Sequence, residues 1–247
     1  FFVMVWNFVN EEQKLKFIRY KSYDAMVEDI KEALKMLSIP EKAAFYPRFF
    51  KTGKGEYGEG DQFIGVTVPD QRKVSQAYFR KISLDDLGVL LSSKIHEHRH
   101  CALLMLVAKF EKADHKLQNE IIQFYLKNLD YINNWDLVDT SCYKILGKYC
   151  FENDQDELLK DLAKQDHLWK KRIAIVSTMY YIKKDKTSLT KYLVLKNLEH
   201  PHDLMHKANG WLLREMGKKN EEELLEFLKE YYHNMPRTCL RYSIEKL

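Results

Sequence analysis

The chain has 247 residues, 45% hydrophobic and 31% charged, which allows a substantial core and excludes a disordered polymer. Its formal net charge of +4 at pH 7 is mildly basic, so it permits a nucleic-acid partner through a basic face without requiring one. Cys101, Cys142, Cys150 and Cys239 form no C-x-x-C pair and sit in apolar helical contexts; they read as reduced, buried thiols of a cytoplasmic protein.

The opening stretch, Phe1 to Val9, is apolar but far shorter than a membrane span and lacks a cleavage-site pattern. A helix docking onto the body is expected there, Trp6 and Trp169 are expected in the core, and no membrane role follows. The chain holds only 9 Gly and 5 Pro, and no proline falls between Pro69 and Pro201. Apolar residues in that interval recur at helical spacing, as in Ile121, Ile122, Tyr125, Leu126 and Leu129, then Ile173, Val176, Met179 and Tyr180. Gln62 to Pro69 has some alternation, but its glycine-rich approach predicts a loop. An all-α protein is expected, organised as one domain: helices over 1–48, a Gly-rich loop over 49–68, and helical repeats over 69–247.

Second-helix candidates begin near His96, Asn134, Leu168, Leu204 and Met235, spaced 38, 34, 36 and 31 residues apart. A period in the thirties with two helices per unit is the pattern of an α-α superhelix, or solenoid. Ala102, Ala174 and Ala208 supply small residues where neighbouring helices would pack. Arg99, Arg172, Lys207, Arg237 and Arg241 fall in the first two turns of the second helices, with Lys171 beside Arg172. Because second helices line the concave side of such stacks, these cations predict a basic groove that holds duplex DNA by its phosphates.

In Asn134-Trp-Asp-Leu-Val-Asp139, helical spacing puts Trp135 and Asp139 on one face. Leu168-Trp-Lys-Lys-Arg172 and Gly210-Trp211-Leu-Leu-Arg-Glu open counterpart helices, which places Trp135, Asp139, Arg172 and Trp211 around one site. Two indole faces and an anion suit a positively charged transition state, and a guanidinium suits a phosphate. His96-Glu97-His98-Arg99-His100 offers a rival, since H-E-x-x-H sets two imidazoles one turn apart with a glutamate as base, the arrangement of a zinc hydrolase. No glycine and third histidine follow it, with Leu103 at the glycine position. His202 and His206, four apart after Pro201, read as a helix start or a contact to DNA backbone. The Lys51–Gly60 segment lacks a phosphate-loop pattern, and no cofactor is implied.

From about Phe49 to Leu247 the chain resembles the AlkD-like DNA alkylation repair glycosylases, which are built from HEAT-like repeats. The resemblance is carried by Phe49-Phe-Lys-Thr-Gly-Lys-Gly-Glu-Tyr-Gly-Glu-Gly-Asp61, His96-Glu97 with Arg99, Asn134-Trp-Asp-Leu-Val-Asp139 and Leu168-Trp169 with Arg172. His202-Asp-Leu-Met-His-Lys-Ala208, Gly210-Trp211, Leu213-Arg-Glu215 and Met235-Pro-Arg-Thr with Leu240-Arg-Tyr242 complete it. It implies hydrolysis of the N-glycosidic bond of N3- or N7-alkylated purines in double-stranded DNA; a monomer is expected, since solenoids of this kind can work as monomers. It also assigns Asp139 as the catalytic carboxylate, Trp135 and Trp211 as flanking the lesion's sugar and backbone, and Arg172 as a phosphate contact. Lys171 stands where arginine is commoner in the family, keeping charge but losing the bidentate fork. A non-catalytic scaffold of the same architecture that binds DNA or protein is the alternative reading.

Overall fold

The computed structural model describes residues 25–247, so the expectations for Phe1–Val9 and Trp6 lie outside the described residues. Regular structure among the described residues is helical and there is no sheet; one isolated parallel bridge joins Gln62 to Ile95. No helix among them is long and apolar enough to cross a membrane. The chain divides into two compact units, Phe1–Lys109 and Phe110–Leu247.

In the first unit, residues 25–36 form helix α1, followed by α2 (Pro40–Phe49), α3 (Val68–Tyr78), α4 (Leu84–Leu91) and α5 (His96–Lys112). The starts are written in the sequence. Thr67 accepts the Asp70 N–H ahead of α3, and Ser83 with Asp86 forms a reciprocal capping box on α4. Between α2 and α3 the expected Gly-rich loop is present. It is held by Glu97, whose carboxylate accepts backbone N–H groups from Ile64, Gly65 and Val66 at 2.8–3.3 Å. Gly65 has φ +82, and a Cβ there would fall 2.2 Å from the Ile39 carbonyl oxygen, so only glycine fits.

The second unit consists of helical pairs. α6 (His115–Lys127) pairs with α7 (Trp135–Cys142), which runs through a π turn at Tyr143–Gly147 into α8 (Lys148–Glu152). α9 (Asp156–Lys164) pairs with α10 (Leu168–Ser177), which continues past Thr178 into α11 (Met179–Lys183). α12 (Ser188–Lys196) pairs with α13 (Asp203–Lys219), and α14 (Glu221–Tyr231) with α15 (Arg237–Ser243). Each second helix, α5 included, starts within two residues of its expected position. The second helices pack in sequence order, α7 on α10, α10 on α13 and α13 on α15. Their shared core includes Ile145, Leu146, Ile173, Val176, Met205 and Leu212, all fully buried, and Trp169 is buried as expected. The four cysteines are buried and unbridged.

Ala174 and Ala208 are buried at the helix interfaces, but glycines set the closest approaches. A Cβ on Gly147 would lie 2.2 Å from the Ser177 carbonyl oxygen, and one on Gly210 would lie 2.4 Å from the Cys239 carbonyl oxygen. Both obstacles are backbone atoms of the next second helix, so the helices themselves would have to move. Intrinsic propensity favours alanine over glycine in a helix by about 1 kcal/mol, whereas overpacking costs about 1–3 kcal/mol. Contact with a backbone atom at that distance makes the second effect win. Gly147→Ala is therefore expected to lower stability by about 1–2 kcal/mol in urea unfolding; a rise in stability would show that α7 and α10 separate freely.

Candidate functional site

Asn134 fixes the start of α7, its side-chain oxygen accepting the Trp135 N–H at 2.8 Å. Trp135 and Asp139 then follow one turn apart, both partly exposed, on a helix that buries Leu137, Val138, Ser141 and Cys142. Tyr125 on α6 steadies this turn through hydrogen bonding with Ser141 at 2.9 Å, and Ser141 donates in turn to the Leu137 carbonyl at 2.7 Å.

Asp139 is met by Arg172 from the neighbouring helix. Arg172 Nε donates to Oδ1 at 3.1 Å and Nη2 donates to Oδ2 at 2.7 Å, a bidentate fork. The third nitrogen, Nη1, donates to the Leu204 carbonyl in the first turn of α13 at 2.5 Å. One side chain thus ties three consecutive second helices together. Arg172 is only 6% exposed at its side chain and Asp139 21%. Burial raises the Asp139 pKa, the Arg172 charge and hydrogen bonds pull it back, and the Asp136 charge adds to the rise. Trp211 lies seven residues after Leu204 on α13, about two turns on and on nearly the same side of that helix. It is partly exposed and sits beside Gly210, where α13 meets α15 most closely.

The first turns of α10 and α13 are capped by imidazoles. His167 accepts the Lys170 N–H and His202 accepts the Leu204 N–H, each through Nδ1. Burial, together with the Arg172 and Lys207 charges, holds the His202 pKa down, in keeping with that role. Lys170, Lys171 and Arg172 crowd the first turn of α10, which has no acidic residue, although the helix dipole disfavours cations there. Lys170 pairs with Asp130 at 3.1 Å, and Lys171 is partly exposed. Lys207 pairs with Asp203 at 2.7 Å, while Arg237 and Arg241 stand exposed one turn apart on α15.

Arg99 belongs to the first unit and does not face solvent there. Its guanidinium is 5% exposed and pairs with Asp61 at 2.6 Å. The rest of the His96–His100 motif is engaged too: His96 Nδ1 lies 3.0 Å from Asp61, His100 Nδ1 lies 2.7 Å from the Gln71 amide oxygen, and Glu97 holds the loop backbone. No group of three or more His, Cys, Asp or Glu side chains among the described residues could hold a metal ion. The zinc-hydrolase reading is corrected accordingly; the motif is a buried polar clamp. His206 likewise reaches the His200 backbone carbonyl at 2.6 Å and helps shape the start of α13.

Two partners had no signal in the sequence. The Leu204 carbonyl is a backbone group with no residue signature, and Asp61 lies in the loop far from the helix it serves. The uninterrupted apolar run after Arg172 could have shown that its guanidinium is drawn inward, since every residue from Arg172 to Met179 is buried.

Stacked helical pairs with an Asp–Arg pair across successive second helices describe a helical-repeat protein with a built, partly open polar site. The chain belongs to the DNA alkylation repair enzyme family, whose model, described as "DNA alkylation repair enzyme", matches residues 30–247. A solved structure described as a predicted DNA alkylation repair enzyme from Enterococcus faecalis is similar in fold, with a TM-score of 0.67 at 17% identity. That match covers 85% of this chain and 96% of the other. No curated protein matches.

Removing Arg172 strands a mostly buried carboxylate, which typically costs about 3 kcal/mol. Without the arginine the Asp139 pKa rises further, so the folded protein takes up a proton more readily than the unfolded chain. The penalty is then full above the folded pKa and shrinks as pH falls through it. Arg172→Met is expected to destabilise by about 3 kcal/mol at pH 7.5 and by clearly less at pH 5 in urea titrations, with Asp139→Asn restoring most of the loss. A penalty independent of pH would mean that packing, rather than charge, is what Arg172 supplies.

Proposed function

We propose that the protein is a DNA glycosylase that hydrolyses the N-glycosidic bond of positively charged N3- or N7-alkylpurines in double-stranded DNA, acting as a monomer. The observation that carries this reading is the bidentate pairing of Asp139 with Arg172 at a partly open site in a member of the DNA alkylation repair enzyme family. An alkylated purine already bears a positive charge and leaves as a neutral base, so no general acid is needed. The charge passes to the deoxyribose as an oxocarbenium-like transition state. Asp139 stabilises it and orients or deprotonates the attacking water. Trp135 and Trp211 offer ring faces to the cationic sugar at about 0.5–2 kcal/mol each.

Arg172 has two roles in this reading. Three of its five N–H groups hold Asp139 and Leu204, and the remaining two serve a phosphate. Lys171, Lys207, Arg237 and Arg241 line a basic groove along the second helices of the second unit and take further phosphates. Arg99, paired inside the first unit, is left out of that groove.

The arginine also sets the size of the electrostatic effect. A cation about 4 Å from the carboxylate is attracted by about 4 kcal/mol at an effective dielectric of 20. The guanidinium, about 7 Å away on the far side, repels it by about 2.4 kcal/mol. The pair together therefore contributes about 2 kcal/mol, or some twentyfold in rate. Asp139→Asn removes the attraction and leaves the repulsion, so it is expected to slow base release by about a thousandfold while keeping DNA affinity. The double variant Asp139→Asn/Arg172→Met is expected to be faster than Asp139→Asn alone. Single-turnover release of N7-methylguanine from duplex DNA measures both; unchanged release in Asp139→Asn removes this residue from the reaction. DNA binding by the wild type without any release would favour the scaffold.

Because catalysis requires the carboxylate, release is expected to fall on the acid side with an apparent pKa above the ordinary 3.8 of an aspartate. Arg172→Met should move that limb to higher pH. A limb that stays in place would separate Arg172 from the Asp139 titration.

A further inference from the structure

Tyr143 follows Asp139 by four residues, which places it on the same face of the helix about 6 Å further along the axis. It opens the π turn Tyr143–Gly147, the segment that ends against the Ser177 carbonyl, and π turns inside helices are frequent at functional positions. Two ammonium groups converge on its ring: Lys183 Nζ at 4.6 Å from the ring centroid and Lys144 Nζ at 5.5 Å. They come from adjacent second helices, since Lys183 ends α11, the continuation of the helix that carries Arg172. Tyr143 and Lys144 are partly exposed and Lys183 is exposed. Lys183 makes no ion pair among the described residues.

A ring with two lysines is not unusual by itself. Tyr192 carries Lys160 at 5.5 Å and Lys196 at 5.6 Å, but on the first helices of their pairs, and Lys160 is paired with Glu157 at 2.7 Å. What distinguishes Tyr143 is its place, one turn from Asp139 on the same face, together with a lysine that lacks a carboxylate. Two like charges held near one ring repel each other, and an anion lodged against both relieves that repulsion. The Tyr143 hydroxyl adds a donor for a phosphate oxygen.

We propose that Tyr143, Lys144 and Lys183 form a contact site for the phosphodiester backbone of duplex DNA beside the lesion. This rests on the reading of the protein as a DNA glycosylase. It extends the cationic surface from the N-terminal turns of the second helices to their middle and far ends. A strand crossing Asp139 would then be held on both sides of the reacting sugar.

The test is the salt dependence of binding, read by fluorescence anisotropy on an undamaged duplex. Each lysine–phosphate contact contributes about 0.9 to the slope of log affinity against log salt. Lys144→Ala/Lys183→Ala is expected to reduce the magnitude of that slope by about 1.8 and weaken binding at least tenfold at low salt. Lys144→Arg/Lys183→Arg should restore the slope, and Lys160→Ala/Lys196→Ala, the matched pair around Tyr192, should leave it unchanged. A double-alanine slope equal to wild type, or a control pair that shifts it equally, overturns the site while leaving the glycosylase reading intact. A wild-type protein that neither binds DNA nor releases base overturns both.

Discussion

The second unit depends on one buried ion pair. Arg172 crosses from α10 to Asp139 on α7 and to the Leu204 carbonyl on α13, so one side chain ties three helices together. Taking both charges out of water is expensive, and the bidentate geometry with a third hydrogen bond offsets that cost without making the pair a large net stabiliser. Its value lies in register. Ridges of apolar side chains allow neighbouring helices to slide by a turn, but a guanidinium with three fixed partners permits one alignment.

Two further features preserve that alignment. Glycine at positions 147 and 210 lets successive second helices approach until backbone meets backbone. Asn134, His167 and His202 then set where each helix begins, so that the residues of the site emerge at fixed heights. The His202 ring must be neutral to accept the Leu204 N–H. Burial and the adjacent cations keep His202 in that form. Cations near a helix start are costly, and α10 carries three of them. That local conflict is resolved for Arg172 by Asp139 and for Lys170 by Asp130, and it is left open at Lys171. In the proposed reaction DNA completes the set.

Much of this was legible in the chain. Periodicity located every second helix to within two residues, because amphipathic spacing and the scarcity of glycine and proline are local properties. Trp135 with Asp139 was readable for the same reason, being one turn of one helix. The direction in which charged residues face was harder. Arg99 looked like a groove cation by position, yet it is drawn inward by Asp61, and Arg172 is met likewise by a carboxylate far away in sequence, Asp139. Pairing across 33 or 38 residues leaves no periodic trace. The His96–His100 motif failed likewise: its spacing matched a metal site, but spacing within a helix says nothing about what lies opposite. There Glu97 meets three backbone N–H groups of the loop that Gly65 allows to pass close by.

The proposed chemistry explains why a site with these contents could suffice. Asp139 is met by a guanidinium that is itself tied to a backbone carbonyl, with the Asp136 charge also acting on it, and the proposed reaction asks none of these to hand a proton to a departing base. A neutral purine, which needs that proton to leave, would gain little here. In the proposed reaction a cationic alkylpurine needs only its charge accommodated as it moves to the sugar, the task given there to Asp139 with Trp135 and Trp211. Selection then rests on the charge of the substrate, which a partly open site reads as well as a closed pocket does. The guanidinium limits the same effect: by keeping Asp139 ionised it also repels the cation, so the carboxylate must lie nearer to the sugar than the arginine does. Asp139 is the more exposed partner of the two, 21% against 6% for Arg172, which is the order that condition requires.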